Sequence, residues 1–145
     1  MDEPSVRAVG WARSLPMGGE VKAARDWARG HLDALGWTTT VPETADAVLL
    51  TVSELVTNAH KHARSNAQLT LSLEDNSLHI SVHDASAVLP ARRSPGTEAT
   101  GGRGMFLVDA LADEWESRPC PHGKSVTACF HGPQAAEEPE TEAER

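Results

Sequence analysis

The sequence predicts an α+β fold: a two-layer sandwich of a mixed, mostly antiparallel sheet with helices on one face. Three segments carry apolar residues at intervals of three and four, which is typical of amphipathic helices, and several shorter segments alternate apolar and polar residues like half-buried strands. The predicted order β-α-α-β-β-loop-α-β-β places strands next to one another, which favours antiparallel pairing with the helices in one layer. A chain of 145 residues is long enough for one domain with its own core.

The first elements are a strand and a helix. Residues 5–14 mix β-branched and apolar side chains and predict an edge strand, which Pro16 and the two following glycines end. A helix is expected from Glu20 to Leu35, because its apolar residues recur every three or four positions. Gly36 then ends this helix.

The second helix is expected from Pro42 to about residue 63 and has the strongest periodicity in the chain. A second, more polar stripe flanks its apolar stripe, because residues four apart lie about 40° from one another on a helix. This polar stripe consists of Thr51, Glu54, Asn58 and His62. The apolar stripe consists of Ala45, Val48, Leu49, Val52, Leu55, Val56, Ala59 and Ala63.

The remaining elements follow in order. Residues 67–74 and 78–83 alternate on either side of Asp75 and Asn76, which predicts an antiparallel hairpin with one buried face. Residues 85–102 have no periodicity and contain several prolines and glycines, as functional loops often do. A third helix is expected to begin at residues 102–104. Two strands, 115–118 and 125–130, joined by a turn at 119–123, complete the fold.

Charge and composition restrict the classes of function. The net charge of −8 disfavours a general nucleic-acid binder, which is normally basic. Half of that charge lies in residues 132–145, which carry five Glu, one Arg and no large apolar side chain. We expect a domain over 1–131 followed by an acidic disordered tail over 132–145.

The location is also constrained. Two cysteines exclude a disulfide-rich secreted fold, and no basic segment followed by an apolar one opens the chain. No apolar stretch approaches the roughly 20 residues that a membrane span needs. We therefore expect a cytoplasmic domain without direct contact to membrane or nucleic acid.

Three features of the sequence carry chemistry. Glu54 and Asn58 share a helical face, where an acid can take a proton and an amide oxygen can hold Mg²⁺. Asp84 ends a strand, where its carboxylate can accept a hydrogen bond from an exocyclic amine. Gly102 and Gly104 open a helix, and helix N-termini with nearby glycines favour anions. Together these groups suit a nucleoside triphosphate with its metal, whereas each alone is more often a solvated helix flank or a turn.

The segment 54–63, ELVTNAHKHA, resembles the N-box of the GHKL ATPase superfamily, the histidine-kinase-like ATPases. The residues around Asp84 occupy the place of its Asp-x-Gly box, and residues 102–105 resemble its second glycine box. The short chain without a histidine-bearing dimerisation domain is most similar to the small anti-sigma-factor serine/threonine kinases. The resemblance covers about residues 5–130 and implies the GHKL ATPase fold.

The resemblance also implies roles for individual residues. Glu54 would be the catalytic base, Asn58 would bind Mg²⁺, and Asp84 would accept a hydrogen bond from the adenine amine. Residues 87–101 would form a lid over ATP, in which arginines 92 and 93 are further candidates to neutralise phosphate charge. The implied nucleotide-binding residues are Asn58, Asp84, Ser86, Gly102, Arg103, Gly104, Met105 and Ser125, the last from a pattern on the final strand where Lys124 or Ser125 replaces a threonine.

The function implied is an ATP-dependent kinase that binds a sigma factor and phosphorylates a serine or threonine of an anti-anti-sigma protein. The family also implies a homodimer, for which Trp11 and the first strand are the candidate interface. One departure keeps alternatives open, because Ser86 stands where the family has glycine. If Ser86 prevents ATP binding, the chain would be a regulator-sequestering module without kinase activity. A third alternative is a stand-alone ATPase that partners a sensor kinase.

Two Cys-x-His pairs, at 120–122 and 129–131, offer four ligands of the types that zinc prefers. Because a strand-like segment lies between the pairs, the sequence disfavours a shared zinc site. Two reduced thiols are expected instead.

Overall fold

The computed structural model describes residues 8–62, 64–86 and 102–133. These residues form five strands, β1 (Ala8–Leu15), β2 (Ala67–Glu74), β3 (Ser77–Asp84), β4 (Glu114–Cys120) and β5 (Gly123–His131). The helices are α1 (Val21–Leu35), α2 (Trp37–Thr40), α3 (Pro42–Thr57) and α4 (Gly102–Leu111), and a π-helical segment, Asn58–His62, continues α3. The predicted α+β class is therefore confirmed.

The strands form one sheet in the order β1-β2-β3-β5-β4, and every neighbouring pair is antiparallel. The sheet was expected to be mixed, whereas the described strands are all antiparallel because hairpins and returning connections join them. β3 lies in the centre, between β2 and β5. The last residue of this central strand is Asp84, so the carboxylate that the sequence singled out sits where the middle of the sheet ends.

The core lies between one face of the sheet and the helices. Alternate residues of β3 and β5 are buried, as expected for strands with one covered face. The α3 helix packs on both of these strands and on α1 and α4. Arg25 of α1 donates to Ser53 Oγ of α3 over 3.2 Å. The largest fully buried side chains are Phe130, Leu32, Leu55, Leu69, Leu71, Leu78 and Ile80.

The α1 helix ends as the sequence predicted. Gly36 has φ +81°, a left-handed conformation that glycine adopts without a Cβ penalty, and its N–H donates to carbonyl oxygens of the last helical turn. The chain then forms the short helix α2, which the sequence did not predict. Trp37, the first residue of α2, is 3% exposed, so its burial holds this turn against the core.

The two C-terminal strands are longer than expected. The predicted turn at 119–123 is wrong, because β4 continues to Cys120 and β5 begins at Gly123. Only Pro121 and His122 form the turn, and the sequence pattern missed this because Pro119 suggested an earlier end to the strand. Pro119 is tolerated because β4 is an edge strand.

The described fold continues slightly beyond the expected domain boundary. Gly132 is buried and its N–H donates to the carbonyl oxygen of Asn76 over 2.7 Å, while the Asn76 side chain donates to the carbonyl of Pro133. These bonds join the end of β5 to the β2–β3 turn. Three predictions lie outside the described residues: the start of β1 at residues 5–7, the lid at 87–101 and the remainder of the acidic tail. No described helix is long and apolar enough to cross a membrane.

Candidate functional site

The candidate site lies where the end of α3 approaches the central strands of the sheet. The α3 helix contacts β3, β5 and α4, and the π-helical segment that follows it also contacts β3. Glu54 and Asn58 occupy this end of the helix, and both are partly buried. The helical spacing that the sequence predicted thus places an acid and an amide one turn apart at the end of a helix that packs against the sheet and α4.

A change in helical geometry coincides with the candidate metal ligand. Asn58 begins the π-helical segment, and its N–H donates to the carbonyl oxygens of Glu54 and Leu55. The π-helix is rare and is frequently found at functional sites. His60 fixes this segment to the sheet, because its Nε2 lies 3.1 Å from the Leu15 carbonyl oxygen and donates to it.

Asp84 is held by a buried lysine. Lys124 Nζ lies 3.0 Å from Oδ1 and 2.9 Å from Oδ2 of Asp84, and the two side chains are 4% and 2% exposed. The two residues are register partners at the end of the β3–β5 ladder. Both side chains point to the helix layer, in phase with Val82 and Val126. The ion pair neutralises two charges that would each be costly to bury alone.

Backbone groups hold the same carboxylate from a second side. The N–H of Ser86 donates to Asp84 Oδ1 over 2.8 Å. The N–H of Ala85 donates to Ser65 Oγ over 2.9 Å, and the N–H of Ser65 donates to the Ala59 carbonyl oxygen over 3.2 Å. Ser65 therefore links the first turn of the π-helical segment to the chain that leaves β3.

A cavity borders this end of the sheet. It has a volume of about 580 Å³ and its lining includes Leu15, Ser65, Asp84 and Ala85. That volume falls within the range of sites for small molecules, roughly 300–1,000 Å³. A ligand in this cavity would contact the end of β3, whereas Glu54, Asn58 and Lys124 do not line it.

A glycine permits the close approach of β5 to Asp84. Gly123 has φ +153°, and a Cβ at this position would lie 1.9 Å from the Asp84 carbonyl oxygen and 2.7 Å from Ala85 Cα. No side chain fits at such distances. The absence of a side chain thus lets the next residue, Lys124, reach across to Asp84.

Ser125 lies on the opposite face of the sheet from Asp84. Its Oγ is 3.4 Å from His83 Nδ1 and 3.5 Å from Cys120 Sγ. Strand alternation gives this result, because neighbours in a strand point to opposite faces. The structure therefore brings Lys124, and not Ser125, to the acid at the end of β3.

The glycine box opens a helix, as predicted. Gly102, Arg103, Gly104 and Met105 form the first turn of α4. A helix N-terminus presents unpaired backbone N–H groups and favours anions. The candidate arginines 92 and 93 lie outside the described residues.

The outer face of the sheet holds polar residues and Cys129. The pKa of the Cys129 thiol is raised above its usual value, first by burial and then by the charges of Glu114 and Asp113. The two Cys-x-His pairs lie at opposite ends of β5, so they cannot share a metal ion. In the part of the chain that the structure describes, no group of three His, Cys, Asp or Glu side chains is arranged to hold a metal.

A Mg²⁺ site requires fewer protein ligands than a site built from three such side chains. It is commonly held by one or two protein oxygens together with substrate phosphates and water. The amide oxygen of Asn58, on a face shared with Glu54, fits this requirement.

Two residues of the site were not identified from the sequence. Lys124 was named only as a position where a threonine was expected, although its phase with Val126 in the alternating strand indicates the buried face. No sequence pattern indicated Ser65, because its side chain accepts a hydrogen bond from the backbone of a residue 20 positions away.

Comparisons with known proteins agree on the fold. A family model described as the histidine kinase-like ATPase domain matches residues 18–130. The structure of the RsbU and RsbW domains of Rv1364c from Mycobacterium tuberculosis matches 85% of this chain, with a TM-score of 0.58 and 17% identity. This chain spans about a third of that one, 32%.

A histidine kinase domain from the blue-light activated kinase EL346 of Erythrobacter litoralis matches 61% of this chain and 45% of its own. Its identity is 27% and its TM-score 0.47. No curated protein sequence matches the chain.

Proposed function

This chain belongs to the family of histidine kinase-like ATPase domains, and from that premise we propose that it binds Mg-ATP and phosphorylates a partner protein. The acceptor would be a serine or threonine of an anti-anti-sigma protein, and the same domain would bind a sigma factor. The observation that carries the proposal is that Glu54 and Asn58 lie one turn apart at the end of α3, a helix that contacts the strand ending in Asp84.

The arrangement supplies the groups that phosphoryl transfer needs. In such reactions the protein contributes mostly positioning and charge stabilisation. The Glu54 carboxylate would orient the acceptor hydroxyl and take its proton as the hydroxyl oxygen bonds to the γ-phosphorus of ATP, while the bond from that phosphorus to the bridging oxygen breaks and ADP leaves. The first turn of α4 would offer backbone N–H groups to the phosphates.

Mg²⁺ bound by Asn58 and the phosphates would neutralise negative charge on the nucleotide. The fit rests on the chemistry of the protein groups, since Asn58 would supply one oxygen ligand beside the Glu54 carboxylate while phosphates and water complete the coordination. The Asp84 carboxylate is not a metal ligand in this arrangement, because an ammonium already contacts both of its oxygens.

The choice of partner rests on two supports. The motifs resemble those of the small anti-sigma-factor kinases, and the fold is shared with a structure that contains an RsbW domain. These partners would be a sigma factor and its anti-anti-sigma antagonist, with the kinase acting as a homodimer.

The test separates binding from transfer. Calorimetric titration with Mg-ATP should show binding to the wild-type protein and to Glu54→Gln. Transfer of labelled phosphate to candidate anti-anti-sigma proteins should be lost in Glu54→Gln. The matched control is Glu43→Gln, which changes an exposed acid in the first turn of the same helix and should leave both measurements unaltered. Loss of binding in Glu54→Gln would contradict the assigned role.

A second candidate function is a binding module that sequesters a regulator without using ATP. The observation that favours it is the occupied state of the Asp84 carboxylate, which already accepts from Lys124 and from the N–H of Ser86. Absence of binding at millimolar Mg-ATP, in a sample shown by circular dichroism to be folded, would select this function. Co-purification with a sigma factor or its antagonist would then identify the regulator.

A further inference from the structure

The Asp84–Lys124 ion pair does not use all of its hydrogen-bond donors and acceptor positions. An ammonium has three N–H donors, and a carboxylate has about four acceptor positions. Lys124 directs two donors to Asp84, one to each oxygen, and Oδ1 also accepts from Ser86 N–H. Among the described residues, the third N–H of Lys124 and the fourth acceptor position, on Oδ2, have no partner.

Open positions of this kind are unusual in a protein interior. Both side chains are more than nine-tenths buried. Buried polar groups normally satisfy their hydrogen bonds, and unmet ones call for an explanation such as a ligand. Here one open donor and one open acceptor belong to side chains in direct contact.

The charge of the pair selects the class of ligand. Carboxylate and ammonium cancel, so the pair has no net charge to attract a phosphate or a metal ion. It offers instead one donor next to one acceptor. A neutral heterocycle whose edge carries an amine beside a ring nitrogen is complementary to it, and adenine has this edge.

We propose that Lys124 selects the base of the nucleotide by donating its remaining N–H to N1 of adenine while Asp84 Oδ2 accepts from the 6-amino group. This inference rests on the proposed function, since it assumes that a nucleotide binds at the end of β3. It adds a specificity-determining residue to the site, in place of the Ser125 that the sequence suggested.

The same arrangement rejects guanine. In the orientation that suits adenine, guanine would place its O6 against the Asp84 carboxylate and its N1–H against the Lys124 ammonium. Both contacts are unfavourable, because the first places two acceptors together and the second places two donors together. Sites that would leave buried polar groups unpaired discriminate strongly.

The test uses nucleotides that differ by one atom or one base. Titration calorimetry compares ATP with 1-deaza-ATP, in which carbon replaces N1, and with GTP. For the wild-type protein, 1-deaza-ATP should bind about 10- to 100-fold more weakly than ATP, because a hydrogen bond from a charged donor is lost. GTP should bind more weakly still.

The protein variants then assign the donor. In Lys124→Met, ATP and 1-deaza-ATP should bind equally, because the donor that distinguishes them is gone. Lys22→Met is the matched control, since Lys22 is an exposed lysine on α1 that pairs with Asp26. It should keep the full wild-type preference for ATP.

The outcomes separate this inference from the function on which it rests. A folded wild-type protein that binds no ATP would overturn both. ATP binding with equal affinity for 1-deaza-ATP or for GTP would overturn the role of Lys124 alone, and this comparison needs no variant. A preference for ATP over 1-deaza-ATP that persists in Lys124→Met would likewise show that another group contacts N1.

Discussion

The indole of Trp115 joins the candidate phosphate-binding helix to the edge of the sheet. Its Nε1 donates to Oδ1 of Asp109 over 2.8 Å, which connects β4 to α4. Trp115 points into the core and is 7% exposed, while Asp109 lies on the exposed side of its helix. The position of the first turn of α4 therefore depends on a bond near its other end.

Trp115→Phe should loosen α4. The phenyl ring keeps most of the apolar contact but cannot donate to Asp109, and a hydrogen bond to a charged group contributes about 1.5–3 kcal/mol. We expect a free energy of unfolding lower by about 1–3 kcal/mol and faster amide hydrogen exchange in α4 than in α1. Asp109→Asn, which keeps an acceptor oxygen, should have the smaller effect. Unchanged exchange in α4 would contradict this role.

The buried ion pair should show strong coupling in stability. Lys124→Met and Asp84→Leu each leave one buried charge without its partner, and such changes cost about 3–5 kcal/mol. The double variant has no unpaired charge, so its loss should be much smaller than the sum of the two. Urea denaturation of the four proteins measures the coupling. Additive losses would mean that the two charges do not stabilise one another.

Two glycine-to-alanine substitutions should change stability in opposite directions. A Cβ on Gly132 would lie 2.7 Å from Trp37 Cζ2 and 2.8 Å from the Asn76 carbonyl oxygen, so Gly132→Ala should cost about 1–3 kcal/mol. Gly30 lies within α1, and a Cβ there meets no atom within 4 Å apart from the nearby backbone of its own helix. Gly30→Ala should therefore stabilise the protein by about 0.5–1 kcal/mol. Thermal unfolding of both variants checks the signs.

Cys129 should react slowly with alkylating reagents. Burial, and then the charges of Glu114 and Asp113, raise the pKa of its thiol, so the reactive thiolate forms only at higher pH. In a Cys120→Ser background, the midpoint of the pH–rate profile with iodoacetamide should lie above that of an unfolded peptide. Glu114→Gln should lower this midpoint, and a midpoint that did not move would exclude the Glu114 charge as a cause.

The raised pKa of Cys129 also determines how the stability of the protein changes with pH. Because the pKa is higher in the folded than in the unfolded chain, the unfolded thiol ionises first as the pH rises. The contribution of Cys129 to the free energy of unfolding is thus complete below the ordinary thiol pKa. It declines as the pH rises through the pKa of the folded state.

The sequence predicted those parts of the fold that depend on local periodicity. Helical spacing placed Glu54 and Asn58 on one face, and strand alternation placed Asp84 at the end of β3. The length of β4 was underestimated because Pro119 normally ends a strand, whereas an edge position tolerates it. The helix α2 was not predicted because its four residues are too few to show a helical periodicity of apolar residues.

The part of the site that the sequence did not predict depends on contacts between distant residues. A lysine in a strand is normally exposed, and only a partner 40 residues away makes its burial favourable. The π-helical turn at Asn58 likewise has no signature in the spacing of apolar residues. The roles of Glu54, Asn58 and the glycine box remain predictions that the binding and transfer experiments test.

The close contact at Gly123 restricts the sequences that can form this sheet. Any other residue would place a carbon atom 1.9 Å from the Asp84 carbonyl oxygen, so the two central strands could not keep their register there. In a library randomised at positions 123–125 and selected only for folding, position 123 should return glycine alone. Position 124 should accept changes only when position 84 changes with it, and position 125, on the outer face, should vary widely. The two charged side chains at positions 84 and 124 can thus be replaced as a pair, whereas position 123 must remain glycine.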